Sequence, residues 1–125
     1  MQLFNQLHPE WQEALHSQRS EIERIDLFLH NRNIAPTFDL IFRALHHPIS
    51  HTRVVIVGQD PYPIKGHAHG LAFSVDSTVT PLPASLRNIF EELKSDCDIT
   101  RSNADLSDWA DQGVMLLNRI LSTDT

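Results

Sequence analysis

Two short apolar runs along the chain show no alternation with polar positions, and each run ends at a polar residue. The first is VVIV at 54–57, which leads through Gly-Gln to Asp60, and the second is VMLL at 114–117, which leads to Asn118. A strand with one solvent-facing side alternates apolar and polar side chains, so an unbroken apolar run predicts a strand covered on both faces, as in a parallel α/β sheet. We therefore expect an α/β fold with at least two central strands.

Helical spacing of apolar residues predicts helices on either side of these strands. The segments concerned are PEWQEALHSQ, the stretch that follows Ser20, FDLIFRALHH, SLRNIFEELKSD and LSDWADQ. A capping pattern at Ser20 and Glu23 predicts the start of the second helix, and Thr37 is placed to cap the third. Gly113 is expected to end the last one. The short run LAFSV at 71–75 is expected to be a brief strand or an extended segment.

Polar side chains at the ends of the two strands are candidates for a ligand site. Open α/β sheets bind ligands at the carboxyl ends of their strands, where Asp60 and Asn118 would share one crevice. Each also has a purely structural interpretation: Asp60 as a helix cap or an Asx-turn before Pro61, and Asn118 as a turn residue. Tyr62 and Phe73 flank the same loop, either as packing residues or as an aromatic wall for a planar ligand.

The histidines of GHAHG raise a second chemical hypothesis. His67 and His69 could bind one metal ion together with Asp60, which would make the protein a metal-dependent hydrolase. The pattern is a weak one, because no third histidine follows at a recognised spacing and a polar loop rich in histidine is more often simply solvated. The glycine-rich patterns that cradle phosphates are absent from the sequence.

Composition narrows the class of protein. The 125 residues suffice for one domain, and 41% hydrophobic and 21% charged residues are typical of a globular protein. The formal net charge of -6 argues weakly against a polyanionic partner, although a local basic patch can escape this average. Neither a secretory signal nor an apolar run of membrane-spanning length is present. The single cysteine, Cys97, fits a reducing compartment, so we expect a cytoplasmic protein.

Four segments in a fixed order resemble a known family. GQDPYP, HAHGLAFSV, LPASLRNIFEEL and DWADQGVMLLNRILS resemble the motifs of the uracil-DNA glycosylases of the common bacterial, human and herpesviral type. The resemblance extends from about Pro36 onward and weakly into the N-terminal helices. It implies a three-layer α/β/α fold with a short, mainly parallel central sheet. It also implies hydrolysis of the N-glycosidic bond of uracil in DNA, without a metal or other cofactor, as a step of base-excision repair.

The resemblance assigns a role to each residue of the loop after the first strand. Asp60 matches the carboxylate that positions water and stabilises the sugar cation, and Gln59 matches a residue whose backbone lies against the base. Tyr62 matches the ring that fills the space beside C5 of uracil. Phe73 matches the ring that stacks on the base, and Asn118 matches the amide that reads its edge. An enzyme of this kind extrudes the target base from the duplex and holds it in a pocket.

Contacts with DNA and the extent of the chain follow from the same resemblance. Pro83 and Ser85 match the loop that grips a backbone phosphate, while Pro63 stands where the family usually has histidine. The family's H-P-S-P-L-S motif, which carries the donor to the leaving uracil, does not occur in residues 1–125. We therefore expect residues 1–125 to be the N-terminal part of one glycosylase domain, monomeric when complete. Its partners would be single- or double-stranded DNA containing uracil, and inhibitor proteins that mimic DNA. An inactive DNA-binding remnant is the alternative.

Overall fold

Short helices and two small sheets make up the part of the chain that the computed structural model describes, residues 2–125. The helices are α1 Gln2–Asn5, α2 Pro9–Ala14, α3 Arg19–Leu29, α4 Ala84–Cys97 and α5 Ser107–Asp111. The strands are β1 Ile34–Ala35, β2 Val54–Gly58, β3 Val114–Asn118 and β4 Thr123–Asp124. No helix in residues 2–125 is long and apolar enough to cross a membrane.

The two predicted strands pair directly with each other. β2 and β3 run parallel, in a register that starts at Val54 opposite Val114 and ends at Gly58 opposite Asn118. The chain between them carries α4 and α5, as parallel strands need a long crossover connection. Because the strands are parallel and in this register, their carboxyl ends meet at one edge of the sheet. β1 and β4 form a separate antiparallel pair.

Burial differs sharply between these two strands. On β3, Met115 packs into a cluster formed with the N-terminal helices, and Leu116 packs into a second cluster formed with α4 and α5. This strand is therefore covered on both faces, and the chain has the layered α/β/α order that the sequence predicts. On β2 the expectation of cover on both faces is wrong: Val54 is 51% exposed and Val57 63%. Among residues 2–125, β2 has a paired neighbour along one edge only, and the side chains of residues 54–57 join neither of the two buried clusters.

The segment FDLIFRALHH does not form the predicted α-helix. It forms two short 3-10 turns instead, Phe38–Leu40 and Arg43–Leu45. Distant donors contact both ends of this segment: the Gln6 side-chain amide donates to Phe38 O, and the His8 backbone N–H donates to Leu45 O. Tertiary hydrogen bonds thus join the segment to residues 6 and 8, while the predicted apolar side chains still point inward.

The remaining predicted helices form at the expected positions, but two of the predicted helix caps are wrong. α4 buries Leu86 and Phe90, as its periodicity predicts, and Gly113 follows α5 with a φ of 98°. The cap predicted at Ser20 is wrong, since α3 begins at Arg19 as a direct continuation of a 3-10 turn. Likewise, the Thr37 hydroxyl donates to the Asp39 carboxylate rather than capping a helix.

Candidate active site

The carboxyl ends of β2 and β3 place Asn118 directly beside Gly58. A Cβ atom added at position 58 would lie 2.3 Å from Asn118 Oδ1 and 3.0 Å from Ala72 Cβ. Glycine is therefore required here for close approach and not for a special backbone angle. The absence of a side chain at Gly58 lets the Asn118 carboxamide lie across the end of β2.

Backbone pairing continues past the two strands and fixes the loop that follows β2. The Arg119 N–H donates to Gly58 O at 2.9 Å, and the Ile120 N–H donates to Gln59 O at 3.0 Å. Gln59 is thus held against the chain that leaves β3, and Asp60 follows at the mouth of the crevice. No helix begins at Asp60, so its interpretation as a helix cap is wrong.

Two adjoining cavities at this edge bring the predicted side chains together. Both are lined by Asp60, Tyr62, Phe73 and Asn118. The outer one, of about 360 Å³, is also lined by Gln59, Ser85, Pro61, Pro63 and Thr123. The inner one, of about 10 Å³, has about the volume that one water molecule requires. Pro83 lines neither cavity; it is the residue that precedes α4.

The aromatic wall of the site is fixed by a hydrogen bond. The Tyr62 hydroxyl donates to Phe73 O at 2.9 Å and lies 3.2 Å from Ser85 Oγ. Burial raises the pKa of Tyr62 above its ordinary value, which keeps the phenol a neutral donor. Both rings also pack against the cluster built on α4 and α5, so the packing and the aromatic-wall interpretations hold together.

The segment that carries Phe73 has an unusual backbone. Phe73 itself has a φ of 68° and Gly70 a φ of 93°. A left-handed conformation at a residue other than glycine costs about 1–3 kcal/mol and persists only when its surroundings fix it. LAFSV is accordingly a turn rather than a strand, although Val75 forms a bridge with Ala68 and the Ala72 N–H donates to Leu116 O of β3 at 3.0 Å. This turn aims the Phe73 ring at the crevice.

The two histidines of GHAHG do not form a metal site with Asp60. His69 Nδ1 lies 2.9 Å from Arg43 Nη1, and His69 Nε2 lies 2.5 Å from Ser74 Oγ, so protein groups occupy both ring nitrogens. Burial, and then the Arg43 charge, hold the pKa of His69 below its ordinary value. Within residues 2–125 no three side chains of His, Cys, Asp or Glu are grouped so as to hold a metal ion. The metal-dependent hydrolase is therefore not favoured.

Sequence reasoning missed the polar residues behind the Phe73 turn. Ser74 is fully buried, and Arg43 bridges His69 to Ser107 at 2.6 Å. Ser107 in turn donates to the Asp105 carboxylate. The sequence offers only faint signs of this group: an arginine within an apolar segment and a serine inside LAFSV.

Comparison with known proteins identifies the family to which the chain belongs. A family model described as the uracil DNA glycosylase superfamily matches residues 46–124. This is more than half of the chain, and it includes both central strands and every candidate site residue. The chain belongs to the uracil-DNA glycosylase superfamily.

Individual relatives agree with this assignment. The chain is 44% identical over 120 residues to the uracil-DNA glycosylase of Mycobacteroides abscessus, a match that covers 91% of the chain and 53% of the relative. The crystal structure of mimivirus uracil-DNA glycosylase is similar with a TM-score of 0.84 at 29% identity, and covers 98% of this chain and 50% of that one. A mimivirus variant in complex with UGI has a TM-score of 0.82 at 28% identity, and covers 99% and 51%. The predicted fold is thereby confirmed, and the chain spans about half the length of the curated relatives it matches.

Proposed function

We propose that this chain supplies the water-activating and base-reading side of a uracil-DNA glycosylase. The observation that carries the proposal is the convergence of Asp60, Tyr62, Phe73 and Asn118 on one crevice at the carboxyl ends of β2 and β3. These side chains come from separate parts of the sequence, and they combine an anion, two aromatic rings and one carboxamide. That combination fits a planar, uncharged base with a polar edge.

Selection of uracil follows from Tyr62 and Asn118. The Tyr62 ring is tied to Phe73 O, and a ring fixed beside C5 leaves no room for the methyl group of thymine. The Asn118 carboxamide accepts from N3–H and donates to O4 of uracil. Cytosine presents the opposite pattern at those atoms, and leaving buried polar groups unpaired costs more than losing a contact.

Hydrolysis is assigned to Asp60. As the N-glycosidic bond breaks, positive charge develops on the sugar, and a carboxylate held beside it stabilises that charge. Water then bonds to C1′, its proton is released, and the bond electrons leave with the uracil. The inner cavity beside Asp60, which has space for about one water molecule, supports this assignment.

The start of α4 is proposed to hold the DNA backbone. Pro83 immediately precedes α4, and Ser85 is its second residue, exposed at the rim of the outer cavity. Backbone N–H groups at a helix N-terminus favour a phosphate. The partners proposed are uracil-containing DNA, single- or double-stranded, and inhibitor proteins that mimic DNA. We further propose a cytoplasmic, monomeric whole protein, in keeping with the exposed thiol of Cys97.

The test is an excision assay with a hybrid enzyme. The chain is joined to the part of the Mycobacteroides abscessus relative that lies beyond the match, and uracil release from a labelled oligonucleotide is measured. Asp60→Asn should slow release about 100- to 1,000-fold, the usual effect of removing one stabilising group from a transition state. His67→Asn, in the same loop, serves as the control and should retain the rate. Near-unchanged release by the Asp60→Asn hybrid would contradict the proposal.

A further inference from the structure

A partly buried set of hydrogen bonds lies behind the turn that carries Phe73, and of its three members Ser74 also lines the inner cavity. It joins Arg43, His69 and Ser74, which come from a 3-10 turn, the GHAHG loop and the Phe73 turn. Ser74 is 0% exposed. None of these three residues has a part in the base-reading or water-activating roles proposed above.

The hydrogen bonds fix the protonation state of the His69 ring. The Ser74 hydroxyl accepts from the Leu106 backbone N–H at 2.9 Å and has Ala104 O at 3.5 Å to donate to. It is therefore free to accept a hydrogen bond from His69, so Nε2 carries the proton. Nδ1 is then unprotonated and accepts from the Arg43 guanidinium, which has only donors. With this assignment both ring nitrogens of His69 have a partner of the matching kind.

The same set of residues closes around the turn from both sides. Arg43 Nη1 also donates to the His69 backbone carbonyl at 3.1 Å. A Cβ atom at Gly70 would lie 2.2 Å from Leu40 O and 2.7 Å from Arg43 Cβ. The backbone just before Phe73 is thus pressed against the turn that carries Arg43, and the backbone just after it is held through Ser74. A left-handed residue between two such anchors has little freedom to relax.

We propose that Arg43, His69 and Ser74 are positioning residues that hold Phe73 in its left-handed conformation, with the Nε2–H of His69 donating to Ser74 as the essential link. Through Phe73 their effect reaches the crevice at two points, the Phe73 ring and the Phe73 carbonyl that accepts from Tyr62. The consequence for base binding rests on the proposed function, whereas the consequence for Tyr62 does not.

Tyr62 provides a direct readout, because it is the only tyrosine in the chain. Its ring carbon bonded to oxygen, labelled with carbon-13, gives a single resonance that reports the hydrogen bond to Phe73 O. Titration of that resonance gives the pKa of Tyr62, which burial raises in the native protein. Circular dichroism at each pH verifies that the fold persists.

An atom-specific pair of variants carries the test. In His69→Gln the terminal amide nitrogen reaches the position of Nε2 and can still donate to Ser74, whereas in His69→Asn the shorter side chain reaches only the position of Nδ1. His69→Gln should keep the Tyr62 resonance and pKa near those of the unsubstituted chain. His69→Asn should move the resonance and lower the pKa toward about 10. His67→Asn, the matched control in the same loop, should change neither.

Two outcomes of this comparison would overturn the inference. A folded His69→Asn variant with an unmoved Tyr62 overturns the inference, and so does a His69→Gln variant that moves Tyr62 as far as His69→Asn does. If His69→Asn does not fold, Ser74→Gly replaces it, and an unmoved Tyr62 there overturns the inference equally. In the hybrid enzyme, His69→Asn should slow uracil release about tenfold while His69→Gln restores most of it. An unsubstituted hybrid that releases no uracil contradicts the proposed function alone and leaves the Tyr62 result standing.

Discussion

Replacing Gly58 by alanine tests whether the Asn118 carboxamide is placed by the missing side chain of its neighbour. The added Cβ would lie 2.3 Å from Asn118 Oδ1, about 1 Å inside the shortest ordinary contact, and 3.0 Å from Ala72 Cβ. The carboxamide must rotate away, and overpacking of this kind costs about 1–3 kcal/mol. Because Gly58 lies in a regular strand, its backbone accepts alanine, so the cost comes from the side-chain clash.

A double-mutant cycle isolates that clash. The free energy of unfolding in urea is measured for Gly58→Ala, for Asn118→Ala and for the double variant of the 125-residue chain. With the carboxamide removed, only the tight contact to Ala72 remains, so the cost of alanine at position 58 should fall by about 1 kcal/mol or more. Asn118→Ala paired with a distant change, Ile99→Ala, is the additive control. An equal cost of Gly58→Ala in both backgrounds would refute the reasoning.

Three further outcomes are expected. In the hybrid enzyme, Tyr62→Ala should permit slow excision of thymine, and Asn118→Asp should permit some excision of cytosine, each measured on a matched oligonucleotide. If neither variant excises the additional base, Tyr62 and Asn118 do not select the base. The pKa of His69 is lowered chiefly by burial, so stability should fall as pH drops below about 6.5, where an unfolded histidine takes up a proton; urea midpoints at pH 7 and 5 test this, and an unchanged midpoint contradicts it. Residues 1–125 alone should excise little uracil and should self-associate through the exposed side chains of β2. Val57→Lys should reduce that association, as measured by sedimentation. A monomeric chain that excises uracil at the rate of the hybrid would contradict both expectations.

The strands and α4 could be predicted from the sequence because their signals are local. An unbroken apolar run marks β3, and an apolar face at helical spacing marks α4. The segment at 38–45 has a helical pattern of the same kind, yet it forms two 3-10 turns that accept hydrogen bonds from Gln6 and His8 in a distant part of the chain. No local pattern encodes such a hydrogen bond.

In the candidate site, too, local signals could be predicted from the sequence and contacts between distant residues could not. Asp60 and Asn118 could be found because they follow apolar strands, and the motif around them made Tyr62 and Phe73 candidates as well. The role of His69 could not be read correctly from its spacing to His67. Its partners, Arg43 and Ser74, reach it from opposite sides, and only the folded chain brings the three together.

The fit between Gly58 and Asn118 also bears on how the two strands find their alignment. A slip of one residue in the pairing of β2 with β3 would place Val57 or Gln59 opposite Asn118 instead. Each of these has a Cβ where the carboxamide must lie, and the slip would also turn every side chain of β2 to the other face. Misaligned pairings are thus penalised at Asn118, the residue that we propose reads the base. The absence of a side chain at Gly58 therefore also selects the correct register of β2 with β3. A chain in which these strands pair out of register cannot form the intact pocket.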